Sequence, residues 1–133
     1  MSTKKNVKME RIYNLLQKLS DEASKGTPII VEGQHDCQTL NNLGIKGNFF
    51  CLKCTGSTLL DQIDKIEGTE VILLVDFDKE GVKLAKKIVS YLSPKGIKVR
   101  RSYWRKIKSL IGRDVKDVEG VYSYLERLKS NTV

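Results

Sequence analysis

Apolar residues along this chain follow two spacings, one typical of buried strands and the other of helices that cover a sheet. Short runs rich in β-branched or aromatic residues predict strands at residues 29–32, 48–52, 71–75 and 97–101. Apolar residues three and four positions apart, together with capping and glycine signals, predict helices at residues 7–25, 36–43, 58–68, 81–92, 102–111 and 118–128. Thr58 is the expected N-cap of the helix 58–68, and Asp117 is expected to help cap the last helix. Because strands and helices alternate, we expect an α/β fold with a mainly parallel sheet of about four strands flanked by helices.

Carboxylates directly follow two of the predicted strands. Glu32 comes after the apolar run 29–31, and Asp76 and Asp78 come after the run 71–75. Neither run alternates with polar residues, as expected for strands covered on both faces of a parallel sheet. Ligands of α/β proteins bind in the crevice outside the carboxyl ends of such strands. Three carboxylates meeting there would repel one another without a cation, so the pattern predicts a metal site.

Magnesium fits this pattern because it takes oxygen ligands and usually needs one or two carboxylates besides water and substrate phosphate. Gly33 is expected to let the chain turn away after Glu32, and Gly81 to let the next helix approach the sheet closely. A simpler interpretation is that Asp76 and Asp78 only cap that helix. Capping would account for Asp78 but not for Glu32, so we favour a metal site.

The charge balance favours a polyanionic partner. The chain has 133 residues, most simply one domain over residues 1–133, and a net charge of +8. Basic residues dominate positions 95–116, where Tyr103 and Trp104 could either stack on unpaired bases or pack into the core. The candidate nucleic-acid contacts are Lys53, Lys79, Arg100, Arg101, Trp104, Arg105 and Lys106.

Membrane insertion and secretion are not expected. No apolar run approaches the ~20 residues that a membrane helix needs. The N-terminus runs into an amphipathic helix without the apolar core of a signal peptide. We therefore expect a cytoplasmic protein.

The cysteines and the single histidine leave a second metal open. His35, Cys37, Cys51 and Cys54 supply four possible zinc ligands. Cys51 falls within a predicted strand, however, and His35 lies beside the proposed magnesium site. Unpaired, structurally idle thiols are the interpretation that we favour, since three cysteines do not form a disulfide framework.

The acidic motifs resemble those of the Toprim family, which includes domains of topoisomerases, bacterial-type primases and several nucleases. The family pattern is a Glu-Gly after the first strand and an Asp-x-Asp after a later one, matched by Glu32-Gly33 and Asp76-Phe77-Asp78. Asp36 matches a further acid of the pattern, and Gly56 its small-residue turn. The resemblance covers residues 27–101, a Rossmann-like core between the N-terminal helix 7–25 and C-terminal helices within 102–129, and is strongest to small stand-alone Toprim proteins.

The resemblance implies phosphodiester or phosphoryl-transfer chemistry on RNA or DNA, dependent on Mg²⁺ or on Mn²⁺ in its place. Asp76 and Asp78 would be metal ligands, and Glu32 a general acid/base or a third ligand. One alternative is a non-catalytic module that docks nucleic acid within a larger processing complex with protein partners. Another is an enzyme of small phosphorylated molecules, since such folds host many chemistries. The choice between RNA and DNA and the oligomeric state stay open.

Overall fold

The structure, a computed structural model, describes residues 4–54, 56–76, 78–115 and 117–130. Its strands are β1 (Ile29–Val31), β2 (Phe49–Cys51), β3 (Glu70–Leu74) and β4 (Lys98–Arg100). The helices in this described part are α1 (Lys4–Ser24), α2 (Gln34–Asn42), α3 (Leu59–Asp64), α4 (Lys79–Leu92), α5 (Ser102–Ile111) and α6 (Val118–Ser130), with a 3-10 turn, Ser93–Lys95, between α4 and β4. The predicted order of elements is confirmed.

The four strands form one all-parallel sheet in the order β2–β1–β3–β4. Val31 of β1 lies opposite Cys51 of β2 and Leu74 of β3, so these three strands end at the same edge of the sheet. The chain moves from β1 to β2 on one side and then to β3 on the other side of β1. This reversal opens a crevice between β1 and β3, where parallel sheets bind ligands.

Helices cover both faces of the sheet. Right-handed crossovers place α2 on one face and α3 and α4 on the other, since the connections run in opposite directions along the sheet. The helix contacts agree, because α3 packs on α4 while α2 packs on α6 and α1 packs on α5 and α6. The predicted α/β fold, a parallel sheet flanked by helices, is confirmed.

The core lies where the sequence predicts it. All three residues of β1 and four of the five of β3 are buried, which explains why neither run alternates with polar residues. The apolar stripe of α1 is buried through Ile12, Leu16, Leu19 and Ala23. Burial of these side chains fixes both central strands, and the ends of those strands carry the acidic residues.

Helix α3 is shorter than predicted. Thr58 caps it as expected, since its Oγ1 accepts a hydrogen bond from the Asp61 backbone N at 3.2 Å. The helix ends at Asp64, four residues before the glycine at which we expected it to end. Lys95 Nζ donates to the backbone oxygens of Ile63 and Asp64, at 3.2 and 3.4 Å. These tertiary contacts satisfy carbonyls at the C-terminal end of the helix, and the local sequence pattern carries no sign of them.

No helix in the described ranges is both long and apolar enough to cross a lipid bilayer.

Candidate functional site

Glu32 and Asp76 meet at the carboxyl edge of the sheet. Glu32 follows β1 directly, and Asp76 lies two residues after β3, the strand beside it. Glu32 Oε1 accepts a hydrogen bond from the Asp76 backbone N at 3.0 Å. Because the donor is a main-chain group, the Glu32 carboxylate fixes the path of the chain after β3 and directs it past this edge.

Glu32 is buried and both of its carboxylate oxygens have partners. Its side chain lies opposite Lys53, whose Nζ is 3.4 Å from Glu32 Oε2. The backbone N of Lys53 also donates to the Glu32 carbonyl at 2.8 Å. The structure thus places Lys53, a predicted phosphate contact, beside the acidic residues, with most of its side chain in solvent.

Asp36 adds a buried carboxylate to the same crevice. It lies in the first turn of α2, and its Oδ2 accepts a hydrogen bond from the Gly33 backbone N at 3.0 Å. Burial raises the pKa of Asp36, and the carboxylates of Glu32 and Asp117 raise it further. The role expected of Gly33 is not required here, because a Cβ at that position would meet only Asp36 Oδ2, at 4.0 Å.

Asp78 caps α4, as the simpler interpretation of the sequence predicts. Its Oδ1 accepts a hydrogen bond from the Gly81 backbone N at 2.8 Å, and its side chain is exposed. The predicted close approach at Gly81 is confirmed, because a Cβ there would lie 1.9 Å from the Asp76 backbone O. Phe77, between the two aspartates, lies outside the described residues.

Asp117 is the acidic residue that sequence reasoning did not include in the site. We expected it to help cap the last helix, and its Oδ1 accepts a hydrogen bond from the Gly120 backbone N at 2.7 Å. Its charge also raises the pKa of both Asp36 and Asp76. A capping aspartate is visible in the sequence, but its position near Asp36, far earlier in the chain, follows only from packing of α6 on α2.

Asp76 has the most perturbed carboxyl group of this cluster. Burial raises its pKa from 3.8 to about 7, with added repulsion from Glu32, Asp36, Asp117 and Asp78. Glu32, Asp36, Asp76, Asp78 and Asp117 are named the acidic cluster below. The Asp76 carboxyl group is partly protonated because burial and the surrounding carboxylates both raise its pKa. A cation bound there would relieve the repulsion between the carboxylates and displace the proton.

This setting predicts how the stability of the metal-free protein depends on pH. The folded state holds a proton on Asp76 that the unfolded state has already lost between pH 3.8 and about 7. Its contribution to the free energy of unfolding is therefore complete below pH 3.8 and is lost as the pH rises through about 7. We expect Asp76→Asn, which has no such proton, to gain stability relative to wild type over this interval.

Urea unfolding in a chelator, followed at a series of pH values, measures this difference. Asp64→Asn is a matched control, because Asp64 is an exposed aspartate at the end of α3. Added Mg²⁺ should stabilise wild type more above pH 7 than at pH 5, because a proton competes for the same oxygens. Parallel pH profiles for wild type and Asp76→Asn would contradict the titration assigned to Asp76.

The acidic cluster fits a hard cation that is held by one or two carboxylates and by water. Among the described residues, no three His, Cys, Asp or Glu side chains are grouped closely enough to enclose a metal ion, so the expected meeting of Glu32, Asp76 and Asp78 around one ion is not present. The donors are all oxygens, however, and Mg²⁺ keeps several waters and is commonly held by one or two carboxylates. Asp76, with the free oxygen of Asp78, fits that open mode of binding.

The predicted nucleic-acid contacts fall on different surfaces. Arg101 and Arg105 line one cleft, between α4 and α5, whereas Lys106 lies on the other side of α5, facing α1. Lys79 is exposed in the first turn of α4. Gly56, predicted as a supporting residue, is exposed with open space around its Cα, and its role stays a prediction.

Arg100 and Trp104 are engaged within the protein. Arg100 forms ion pairs with Glu22 and Glu70, so its charge is already neutralised and the expected phosphate contact is not supported. Trp104 is only 5% exposed and its Nε1 donates to the Val75 backbone O. Of the two interpretations of the aromatic pair, the structure bears out packing into the core, and stacking of bases on Trp104 is excluded by burial of the ring.

The cysteines do not form the predicted set of free thiols. Cys51 and Cys54 are joined by a disulfide across the end of β2, and Cys37 is free. The pairing arises because the turn after β2 brings the two Cα atoms to 5.4 Å, within the range for a disulfide. Sulfurs bonded to each other are not zinc ligands, so the four-ligand zinc set is not present in this structure.

Comparisons with known proteins agree with the fold. The chain is 39% identical over 127 residues to a UPF0292 protein of Methanosarcina acetivorans, covering 94% of this chain and 87% of that protein. It is 34% identical over 119 residues to a UPF0292 protein of Methanocaldococcus jannaschii, covering 89% and 92%. A solved structure from Aquifex aeolicus superposes with a TM-score of 0.67 at 29% identity, covering 80% of this chain and 94% of that one.

A model of the Toprim domain matches residues 26–103, which contain β1 to β4 and every member of the acidic cluster except Asp117. The match spans more than half of the chain and agrees closely with the expected limits 27–101. Its small relatives are similar in length to this chain. The chain therefore belongs to the Toprim domain family.

Proposed function

We propose that this protein is a Mg²⁺-dependent enzyme that cleaves or transfers phosphodiester groups of RNA or DNA. The family suggests metal-dependent processing of nucleic acid, and the acidic cluster gives this chain the groups that such chemistry needs. The observation that carries the proposal is the contact between Glu32 and Asp76 at the carboxyl edge, where the pKa of Asp76 is raised to about 7.

The roles of the residues follow from their positions. Asp76 and Asp78 would hold the ion. Asp76 is surrounded by other carboxylates, and Asp78 uses only Oδ1 to cap α4, which leaves its Oδ2 for the ion. When bound, Mg²⁺, or Mn²⁺ in its place, supplies positive charge that offsets the charge developing on the phosphate oxygens. Glu32 would accept a proton from the attacking oxygen or donate one to the leaving oxygen, since it lies buried at the carboxyl edge of the sheet, where the substrate would bind.

Lys53 would have two roles in this arrangement, one without substrate and one with it. Its Nζ neutralises Glu32 while no substrate is present. A phosphate entering the crevice offers the ammonium group a second anionic partner, so Lys53 can move to the phosphate and leave Glu32 free for proton transfer. This exchange needs only a rotamer change of a side chain that is 72% exposed.

A second function is favoured by one observation. Both oxygens of Glu32 have partners, and the described residues contain no group of three metal ligands. Such an arrangement also suits a non-catalytic module that binds nucleic acid within a processing complex of several proteins. Binding by such a module would survive the removal of divalent ions, whereas cleavage would not.

Incubation of the purified protein with end-labelled structured RNA and DNA separates the two functions. We expect shorter products in Mg²⁺ or Mn²⁺ and none in a chelator, because the chemistry requires the ion at Asp76. Products are resolved on a denaturing gel, and binding is measured in parallel by anisotropy. Binding without cleavage of either nucleic acid would overturn the proposed enzymatic activity and support the non-catalytic binding module.

A further inference from the structure

A second cleft lies at the same edge of the sheet as the acidic cluster. It has a volume of about 500 Å³ and lies between α4 and α5. Arg101, at its rim, follows β4 directly, and Trp104, at its base, donates to the carbonyl directly after β3. The α4–α5 cleft therefore opens beside the carboxyl ends of β3 and β4, on the side of α4 away from Glu32.

Among the described residues, four cations line this cleft. They are Lys86 from α4 and Arg101, Arg105 and Lys108 from the start and body of α5. No acidic residue stands among the described residues that line it, and none of the four forms an ion pair in the described part of the chain. Four like charges around one concave surface produce a focused positive potential, which favours a ligand with several negative charges.

The cleft is suited to a sugar–phosphate backbone and not to bases. Trp104 is only 5% exposed, and Lys108 Nζ lies 5.2 Å from the centre of its ring. The ring is therefore covered by a cation and offers no open face for stacking. Recognition then rests on phosphate contacts, which carry little sequence information.

Lys86 connects this cleft to the acidic cluster. It also lines a third cavity, of about 440 Å³, whose other charged members are Glu32, Lys53, Glu80, Lys83 and Lys87. The two cavities therefore flank α4, with one lysine common to both. A strand that has one phosphate at Glu32 can pass over α4 along these lysines and enter the α4–α5 cleft.

We infer that the α4–α5 cleft binds the backbone of the same nucleic-acid strand whose reacting phosphate lies at the acidic cluster. The inference rests on the proposed function for the identity of the ligand. It adds a substrate requirement, namely a strand that extends beyond the reacting phosphate. An α-helix is about 10 Å across, so the strand must continue past the reacting phosphate far enough to cross α4.

The test is binding of labelled single strands of increasing length, measured by anisotropy in a chelator. Wild-type affinity should rise steeply once the strand is long enough to cross α4 and occupy both clefts. Arg105→Glu and, on the opposite wall, Lys86→Glu should each weaken binding of the longer strands by roughly tenfold and lower the salt dependence by about one phosphate contact. Both residues are exposed, so folding should be preserved.

Lys18→Glu is the matched control, because it makes the same change at an exposed lysine of α1 that lines the cavity between α1 and α5. An equal loss with Lys18→Glu, or no loss with Arg105→Glu and Lys86→Glu, would overturn the inference. Equal competition by polyglutamate would also overturn it, since the cleft would then not distinguish a sugar–phosphate backbone from an acidic polypeptide. The readout requires neither metal nor cleavage, so failure of the proposed chemistry would be seen separately.

Discussion

Replacing Asp76 with asparagine should lower Mg²⁺-dependent cleavage by at least about 100-fold, because a bound metal supplies several kcal/mol of charge stabilisation. The hydrogen bond to Glu32 comes from the backbone N of residue 76, so the substitution leaves it intact. The expected loss is therefore one of metal binding and not of folding. Cleavage rates on the preferred oligonucleotide, together with circular dichroism, measure both properties.

Glu32→Gln should lower cleavage by about 10²–10⁴-fold, the usual contribution of a general acid or base. The amide oxygen of glutamine can still accept the bond from Asp76, so this variant too should fold. A higher Mg²⁺ concentration should partly restore Asp76→Asn, which has a weakened metal site. It should not restore Glu32→Gln, which lacks the proton-transfer group.

The exposed Asp64→Asn variant supplies the control for both substitutions, and its rate should equal that of wild type. Cleavage that is unchanged in Asp76→Asn and Glu32→Gln would reject the roles assigned to these residues. Restoration of Glu32→Gln by added metal would instead reassign Glu32 from proton transfer to metal binding.

Gly81→Ala should destabilise the protein by about 1–3 kcal/mol or more, the usual cost of forcing an extra methyl group into a packed site. A Cβ at this position would lie 1.9 Å from the Asp76 backbone O, so either α4 or the chain after β3 must move. Alanine is the better helix former by about 1 kcal/mol, but this gain is smaller than the steric cost. The shift should also lower Mg²⁺-dependent cleavage, because Asp76 is displaced.

Gly56→Ala is the matched control for this prediction. A Cβ at Gly56 would meet no atom of the described residues within 4 Å, so alanine should be neutral or slightly stabilising. Urea unfolding midpoints of the two variants give the comparison. Equal stability of Gly81→Ala and wild type would show that α4 does not need its close approach to Asp76.

Much of this molecule can be predicted from local patterns. The strands β1 and β3 were predicted from unbroken apolar runs, because a strand covered on both faces has no polar side to display. The Thr58 cap was predicted from a single hydroxyl and the residues after it, since capping joins groups only three positions apart. Such features depend on neighbours in sequence, so one segment is enough to predict them.

Other features depend on residues that are distant in sequence. Arg100 looks like any other basic residue of its segment, and only the packing of α1 beside β4 brings Glu22 to it. The sequence pattern is compatible with either an exposed or a buried Trp104. The structure shows a buried ring whose Nε1 donates to the Val75 backbone O. Lys86 was not among the predicted contacts, and Lys108 was only one residue of the basic run 95–116, because the cleft that both line is formed by two separate helices.

The sequence by itself determined the α/β architecture, the order of its elements and the positions of Glu32 and Asp76 at strand ends, because periodicity and strand termini are local properties. Only the tertiary structure decided that Asp117 joins the acidic cluster, that Lys53 pairs with Glu32 and that the basic residues divide among separate surfaces. Electrostatic energies depend on distance through space, and that distance is fixed when helices pack on the sheet.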